Sequence, residues 1–290
     1  YGAALGFPVV YCHGFPSSRL EAEMLDGMAR EAGLAIIAPD RPGIGLSDFQ
    51  AERTILDWPA DVRELLTQLG IDRFALIGCS AGFPYAAACA CACRLSAQVV
   101  GVASLGGLGS TADRSSIRQM GPAARLAFCL VRRNPRLFEL AFGGLGWLAA
   151  KWPDLVAHIN RATPPDRRVL ERPEVRRHLR RTILEAFRQG IDGPLHELRL
   201  LAHPWGFDQA RIPVRLDICH ACEDGVVPPA MQRHLAKRVP GARLRLLPDE
   251  GHISLAYAHG ADLLRALPPS LDGRAGRTTT DRRRGTSRTV

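Results

Sequence analysis

Short apolar runs alternating with amphipathic stretches are the feature that most limits the folds open to this chain. "PVVYCHG" (8–14), "LAIIAPD" (34–40), "RFALIG" (73–78) and "VVGVASLGG" (99–107) read as strands. Between them, "SRLEAEMLDGMAREAG" (18–33), "TILDWPADVRELLTQLG" (54–70) and the stretch after Gly82 to about Arg94 read as helices. Gly33 and Gly70 are the expected stops, and Pro59 falls early in its helix. The strands are rich in Val, Ile, Leu and Ala on both faces, as a parallel sheet covered by helices on both sides requires. Strand–helix alternation with short connections predicts a doubly wound, mostly parallel α/β fold.

The alternation lapses near Gly109. Residues 110–206 are Arg-rich and read as helical throughout, broken by Pro135, Pro153, Pro164, Pro165 and Pro173. The strand pattern resumes in "VRLDICHA" (214–221), then a helix at 229–239, "ARLRLLP" (242–248) and a last helix at 253–266. The expected organisation is an α/β core in two parts, 1–109 and 207–268, an inserted all-helical cap at 110–206, and a polar, basic tail at 269–290 that is expected to be disordered. No internal repeat is visible.

Composition decides several exclusions. Hydrophobic residues make up 46% of the 290, enough for a sizeable core. No apolar run reaches the roughly 18 residues of a membrane span, and no signal-peptide pattern is visible. The net charge of +9 invites a nucleic-acid reading. Yet 17 Lys and Arg against 9 Asp and Glu fall in 110–206, and 6 Arg against 2 Asp in 269–290. The charge therefore belongs to the insert and the tail, and solvated helix faces explain it without nucleic acid or membrane as partner. The 8 cysteines show no disulfide framework: Cys89, Cys91 and Cys93 share an Ala-rich helix, and Cys219 and Cys222 have no second pair with which to hold zinc. Reduced cysteines acting as small core residues point to a cytoplasmic location.

"LIGCSAG" (76–82) is a strand that stops against Gly78-Cys79-Ser80-Ala81-Gly82 and leads into a helix, the setting in which G-x-S-x-G holds a serine on a sharp turn. Gly78 and Gly82 leave room beside Ser80, expected at the carboxyl end of a central strand, where ligands collect in open α/β sheets. A serine hydroxyl needs a base to take its proton, and His252, in "PDEGHISL", is the candidate. That imidazole needs an acid to fix its tautomer. Asp224, in "CHACEDGVVPP", is the candidate, with Glu223 and Asp217 as rivals, while Asp249 and Glu250 adjoin the histidine too closely. His203 and His220 read as core or surface residues. Backbone N–H groups of Ala81 and of Phe15 in "HGFP" (13–16) are the expected oxyanion donors. Gly14 gives that loop room, His13 is expected to brace it, and Pro16 has no N–H to offer.

"HGFPSSR", "DRPGIGLSD" (40–48), "GCSAG", "EDGVVP" and "EGH" occur in the order and positions seen in the α/β-hydrolase superfamily, which this sequence resembles over about 5–109 and 207–266. The resemblance implies that the "DRPGIGLSD" loop is structural, with no catalytic role for Asp40 or Asp48. "HGFP" looks like the loop of epoxide hydrolases and haloalkane dehalogenases, but those families place Asp where this chain has Ser80. Epoxide hydrolases also use cap tyrosines, and Tyr1, Tyr11, Tyr85 and Tyr257 all lie outside 110–206. A serine nucleophile is similar to that of esterases, C–C bond hydrolases and cofactor-free perhydrolases. The expectation is a serine hydrolase acting on a small-molecule acyl substrate, with no metal or organic cofactor. Its alternatives are C–C hydrolysis, perhydrolysis, or a non-catalytic binding protein of the same fold. Phe128, Phe138, Phe142, Trp147 and Trp152 have two readings, the core of a helical bundle or the lining of an apolar acyl pocket.

Overall fold

The computed structural model describes residues 1–92, 95, 97–110, 114–134, 136–142, 144 and 163–267. The expected tail, Cys93, Arg94, Pro135, Trp147, Trp152 and Pro153 lie outside the described residues. Six strands, β1 (Phe7–Cys12), β2 (Leu34–Ile37), β3 (Phe74–Cys79), β4 (Val99–Leu105), β5 (Leu216–Ala221) and β6 (Arg243–Leu247), form one sheet in the order β2-β1-β3-β4-β5-β6. Every neighbouring pair is parallel.

Alternation along the strands sends side chains to two separate cores. Val10, Cys12, Phe74 and Leu76 face one side, where α2 (Trp58–Gln68), α3 (Phe83–Cys91) and α9 (Pro229–Arg238) contribute Trp58, Val62, Phe83 and Met231. Val9, Tyr11, Ala75 and Ile77 face the other, covered by α1 (Asp26–Glu31) and α10 (Ser254–Ala266) through Ala29, Leu255 and Leu263. Each large aliphatic side chain so buried contributes about 1.5–3 kcal/mol, and two covered faces explain why the central strands β1 and β3 are apolar throughout. β6 differs. As an edge strand it alternates exposed and half-buried residues up to Leu247, so apolarity on both faces does not extend to it.

The described elements between β4 and β5 are all helical: α4 (Arg114–Gln119), α5 (Pro122–Arg133), a turn of helix at 136–142, α6 (Pro164–Leu170), α7 (Pro173–Ala186), α8 (Asp192–Ala202) and a short 3-10 turn, Gln209–Arg211. Pro164 and Pro173 do not interrupt helices; they start them. A first-turn N–H has no intrahelical acceptor, so proline loses nothing there.

Three expectations need correction. Residues 18–33 do not form one α-helix, because a 3-10 segment, Arg19–Leu25, precedes α1. Tertiary bonds override local propensity here: Arg19 pairs with Asp40 and Glu185, and Glu21 accepts the Gly14 N–H. The helix after Ser80 ends at Cys91, with Ala92 already extended. Nor are all the cysteines core residues: those described are free thiols, but Cys91 and Cys129 are half-buried and Cys222 is exposed.

Candidate active site

The strand order reverses direction of growth between β1 and β3, so the loops leaving these two strands diverge and open a crevice at the carboxyl ends. The loop after β1 is His13–Pro16 and the turn after β3 is Ser80–Gly82. Topology alone therefore brings the two sequence motifs face to face.

Ser80 has φ of 49°, the only positive φ among described residues other than glycine. A side chain in this region costs about 1–3 kcal/mol, and the surrounding packing holds it there. A methyl on Gly82 would collide with the Cys12 and His13 carbonyl oxygens, and one on Gly78 with the Phe83 backbone. Glycine at both positions lets the turn pack flat against β1 and α3. The Ser80 carbonyl accepts the Leu108 N–H at 2.8 Å, fixing the turn to the loop after β4.

His252 stands between Ser80 and Asp224. Its Nδ1 lies 2.7 Å from Asp224 Oδ2 and its Nε2 lies 2.9 Å from Ser80 Oγ. A carboxylate only accepts, so Nδ1 carries the proton and Nε2 is free to accept from the serine hydroxyl. The other Asp224 oxygen accepts the Val226 and Val227 N–H groups at 2.8 and 2.7 Å. Burial disfavours the Asp224 charge, but His252 and these donors outweigh it and hold its pKa below the ordinary value. Burial likewise pulls the His252 imidazolium down, and the nearby Asp224, Asp166 and Glu21 carboxylates outweigh that, so its pKa lies above 6.5.

On the opposite side, Gly14 approaches so closely that a methyl there would come within 3.3 Å of Ser80 Cβ. Its N–H is taken by Glu21 Oε2 at 2.5 Å, which leaves Phe15 as the next N–H along the loop. His13 is buried, with Nδ1–H donating to the Gly14 carbonyl at 3.0 Å and Nε2 accepting the Arg41 N–H at 3.4 Å. Burial, then Arg41, push its pKa far below the ordinary histidine value, so it is a neutral brace. Arg41 binds the His13 and Gly14 carbonyls at 2.6 and 3.0 Å and donates its Nε–H to Glu197 on α8 at 2.8 Å. Glu197 also accepts from Arg53 at 2.7 Å and Tyr85 at 2.9 Å, all within the interior.

The residues expected to carry the chemistry thus fall in one small region: Ser80, Asp224 and His252 in a bonded line, Ala81 next to Ser80, and His13, Gly14 and Phe15 in the loop beside it. The rival acids are elsewhere: Glu223 is exposed and Asp217 pairs with Arg215. Asp40, in its structural loop, binds Arg19 and the Leu46 N–H. His220 is buried under the Asp224 turn, with Nε2–H donating to the Val227 carbonyl at 3.0 Å and lying 3.5 Å from Asp224 Oδ2. Phe128 and Phe138 pack in the interior, while Phe142 stacks on Phe15 at 6.4 Å and on Phe138 at 5.3 Å. Sequence reasoning missed Glu21, Glu197 and Asp166. Only Arg41, inside "DRPG", stood within a recognised motif. Among the described residues, no cluster of His, Cys, Asp or Glu is arranged to hold a metal ion, and no helix is long and apolar enough to cross a membrane.

Comparison with known proteins gives a consistent picture. The model of a family described as the alpha/beta hydrolase family matches residues 9–266. A bromoperoxidase from Bacillus anthracis has a similar structure, with a TM-score of 0.65 and 20% identity over 91% of this chain and 90% of that one. An esterase from Rhodococcus sp. ECU1013 is similar at a TM-score of 0.65 and 20% identity, covering 92% of this chain and 93% of that one. Such likenesses speak for the fold. A soluble epoxide hydrolase from Corynebacterium sp. (strain C12) is 36% identical over 80 residues, 26% of this chain and 27% of that protein, so the match spans about a quarter of the curated relative.

Proposed function

The chain belongs to the alpha/beta hydrolase family, and on that premise we propose that it is a serine hydrolase cleaving carboxylic esters through an acyl-enzyme. The observation that carries this reading is the unbroken line Ser80–His252–Asp224, with contacts of 2.9 and 2.7 Å. Ser80 Oγ attacks the acyl carbon as its proton passes to His252 Nε2. Asp224 stabilises the imidazolium. Charge develops on the former carbonyl oxygen, and the N–H groups of Phe15 and Ala81 receive it. The intermediate collapses, and the alcohol leaves with the proton from Nε2. Water then attacks the acyl-enzyme, gives a proton to His252, and the acid departs as Ser80 regains its hydrogen. The cycle calls for no cofactor. Opening an epoxide through an enzyme-bound ester needs a carboxylate nucleophile, and serine occupies that place, so the activity named for the curated relative is not carried over.

A fluorophosphonate probe and p-nitrophenyl esters of increasing chain length test this reading. Covalent labelling of Ser80 with turnover of at least one ester is the expected result; a folded protein that neither labels nor turns over would overthrow it. The pH profile adds a second check. His252 must be neutral to act, so kcat/KM should rise with pH through a midpoint above 6.5, the ordinary histidine value. Asp224→Asn should move that midpoint down and lower kcat by about 10⁴. An acid limb below 6.5 in the unmodified protein would contradict the raised His252 pKa, and the absence of any acid limb would remove His252 as the base.

A further inference from the structure

We infer that Asp166, carried on α6, is a positioning residue for His252: its carboxylate holds the backbone of the histidine where the imidazole can reach both Ser80 and Asp224. This rests on the serine-hydrolase reading for its consequence, but not for its geometry. Asp166 is 3% exposed, and its carboxylate bonds the main chain of His252, not the imidazole. Its oxygens accept three consecutive N–H groups, Oδ2 from His252 at 3.2 Å and Oδ1 from Ile253 at 2.8 Å and Ser254 at 2.9 Å. Thr163 Oγ1 donates to Oδ2 at 3.2 Å.

These N–H groups open α10 and have no acceptors within the helix. Helices normally meet this need with a side chain at the cap position itself. The cap residue here is Ile253, which cannot. The acceptor is imported instead from a helix 86 residues earlier in the chain. Gly251 records the same arrangement from the other side. A methyl there would run into Thr163 Oγ1 and come within 2.5 Å of Asp166 Oδ1. The glycine of "EGH" therefore makes room for a carboxylate from the insert. Among the described residues, the ionisable groups that act on the imidazole include Asp224 from the turn after β5, His220 from β5 itself, Glu21 from the 3-10 segment, and Asp166 from α6. Asp166 is the one that also holds the histidine main chain.

The test uses the full chain with Asp166→Asn and Asp166→Ala. In Asp166→Ala, the rate of fluorophosphonate labelling at Ser80 should fall about 10- to 100-fold, the scale expected when a catalytic group is misplaced by about 1 Å. KM for a p-nitrophenyl ester should stay within about twofold, because Asp166 bonds the main chain of the base. The acid limb of the labelling rate should move to lower pH in both variants, since each removes a negative charge beside the imidazole. Asp166→Asn should show the smaller rate loss, as it keeps one acceptor oxygen. Folded variants that label at the unmodified rate with an unmoved limb would overturn the inference. A measurement without any variant guards against misfolding: the Ile253 and Ser254 amides of the unmodified protein should exchange slowly with deuterium, and fast exchange would equally overturn it. Absence of labelling in the unmodified protein, with those amides still protected, would instead count against the serine-hydrolase reading alone.

Discussion

Ser80→Ala is expected to lower kcat for ester hydrolysis by a factor on the order of 10⁶ and to abolish fluorophosphonate labelling, while the protein stays folded. On the serine-hydrolase reading the loss is large because Ser80, His252 and Asp224 act as a unit: with the hydroxyl gone, the imidazole has no proton to take. Alanine keeps the backbone strain at φ of 49°. Glycine removes it. Ser80→Gly should therefore be just as inactive yet more stable than Ser80→Ala, by about 1 kcal/mol, the low end of what such strain costs. Paired thermal melts and steady-state assays check both statements. Activity within tenfold of the unmodified protein in either variant would mean that another group performs the attack.

Glu197→Ala is expected to destabilise the fold by about 3–5 kcal/mol, because it strands two buried guanidinium groups without their carboxylate. Arg41 is fully buried and Arg53 only 6% exposed. Burial disfavours the Glu197 charge, but Arg41 and Arg53 more than compensate, and its pKa is depressed. For a chain of this size the loss corresponds to a fall in Tm on the order of 10 °C. Activity should drop beyond what unfolding explains, since Arg41 also grips the His13 and Gly14 carbonyls of the loop proposed to supply an oxyanion donor. Glu197→Gln, which keeps the acceptor oxygen but not the charge, should fall between. Denaturant unfolding of the three proteins decides it. A change under about 1 kcal/mol in Glu197→Ala would show that water or a neighbouring group reaches the arginines.

The local parts of this architecture were legible in the sequence because local physics writes them. The strand, Ser80 turn and helix lie within one contiguous stretch, and Gly78 and Gly82 announce a turn too tight for side chains. His252 and Asp224 were legible by their order and by their places after strands. What escaped was whatever depends on tertiary pairing. Glu197 reads as one more acid on an amphipathic helix; only the fold reveals that Arg41, 156 residues away, needs it. Asp166 reads as a first-turn acid of α6, yet it accepts the N–H groups of His252, Ile253 and Ser254 at the start of α10. The 3-10 segment at Arg19–Leu25 was hidden for the same reason: its sequence favours a helix, and long-range bonds to Asp40 and Glu185 reshape it.

Several side chains from the helices between β4 and β5 satisfy groups that the sheet framework leaves wanting, three of them deep in the interior. Asp166 serves the start of α10, Glu197 serves Arg41 and Arg53, and Thr182 Oγ1 meets Ser17 Oγ and the Ser18 N–H at 3.1 Å each. Such a segment is not an exchangeable cassette. A chimera that borrowed it from a relative without these anchors would inherit naked cations and a frayed helix along with its new selectivity. Engineering of substrate range in this scaffold is thereby confined to the positions between the anchors.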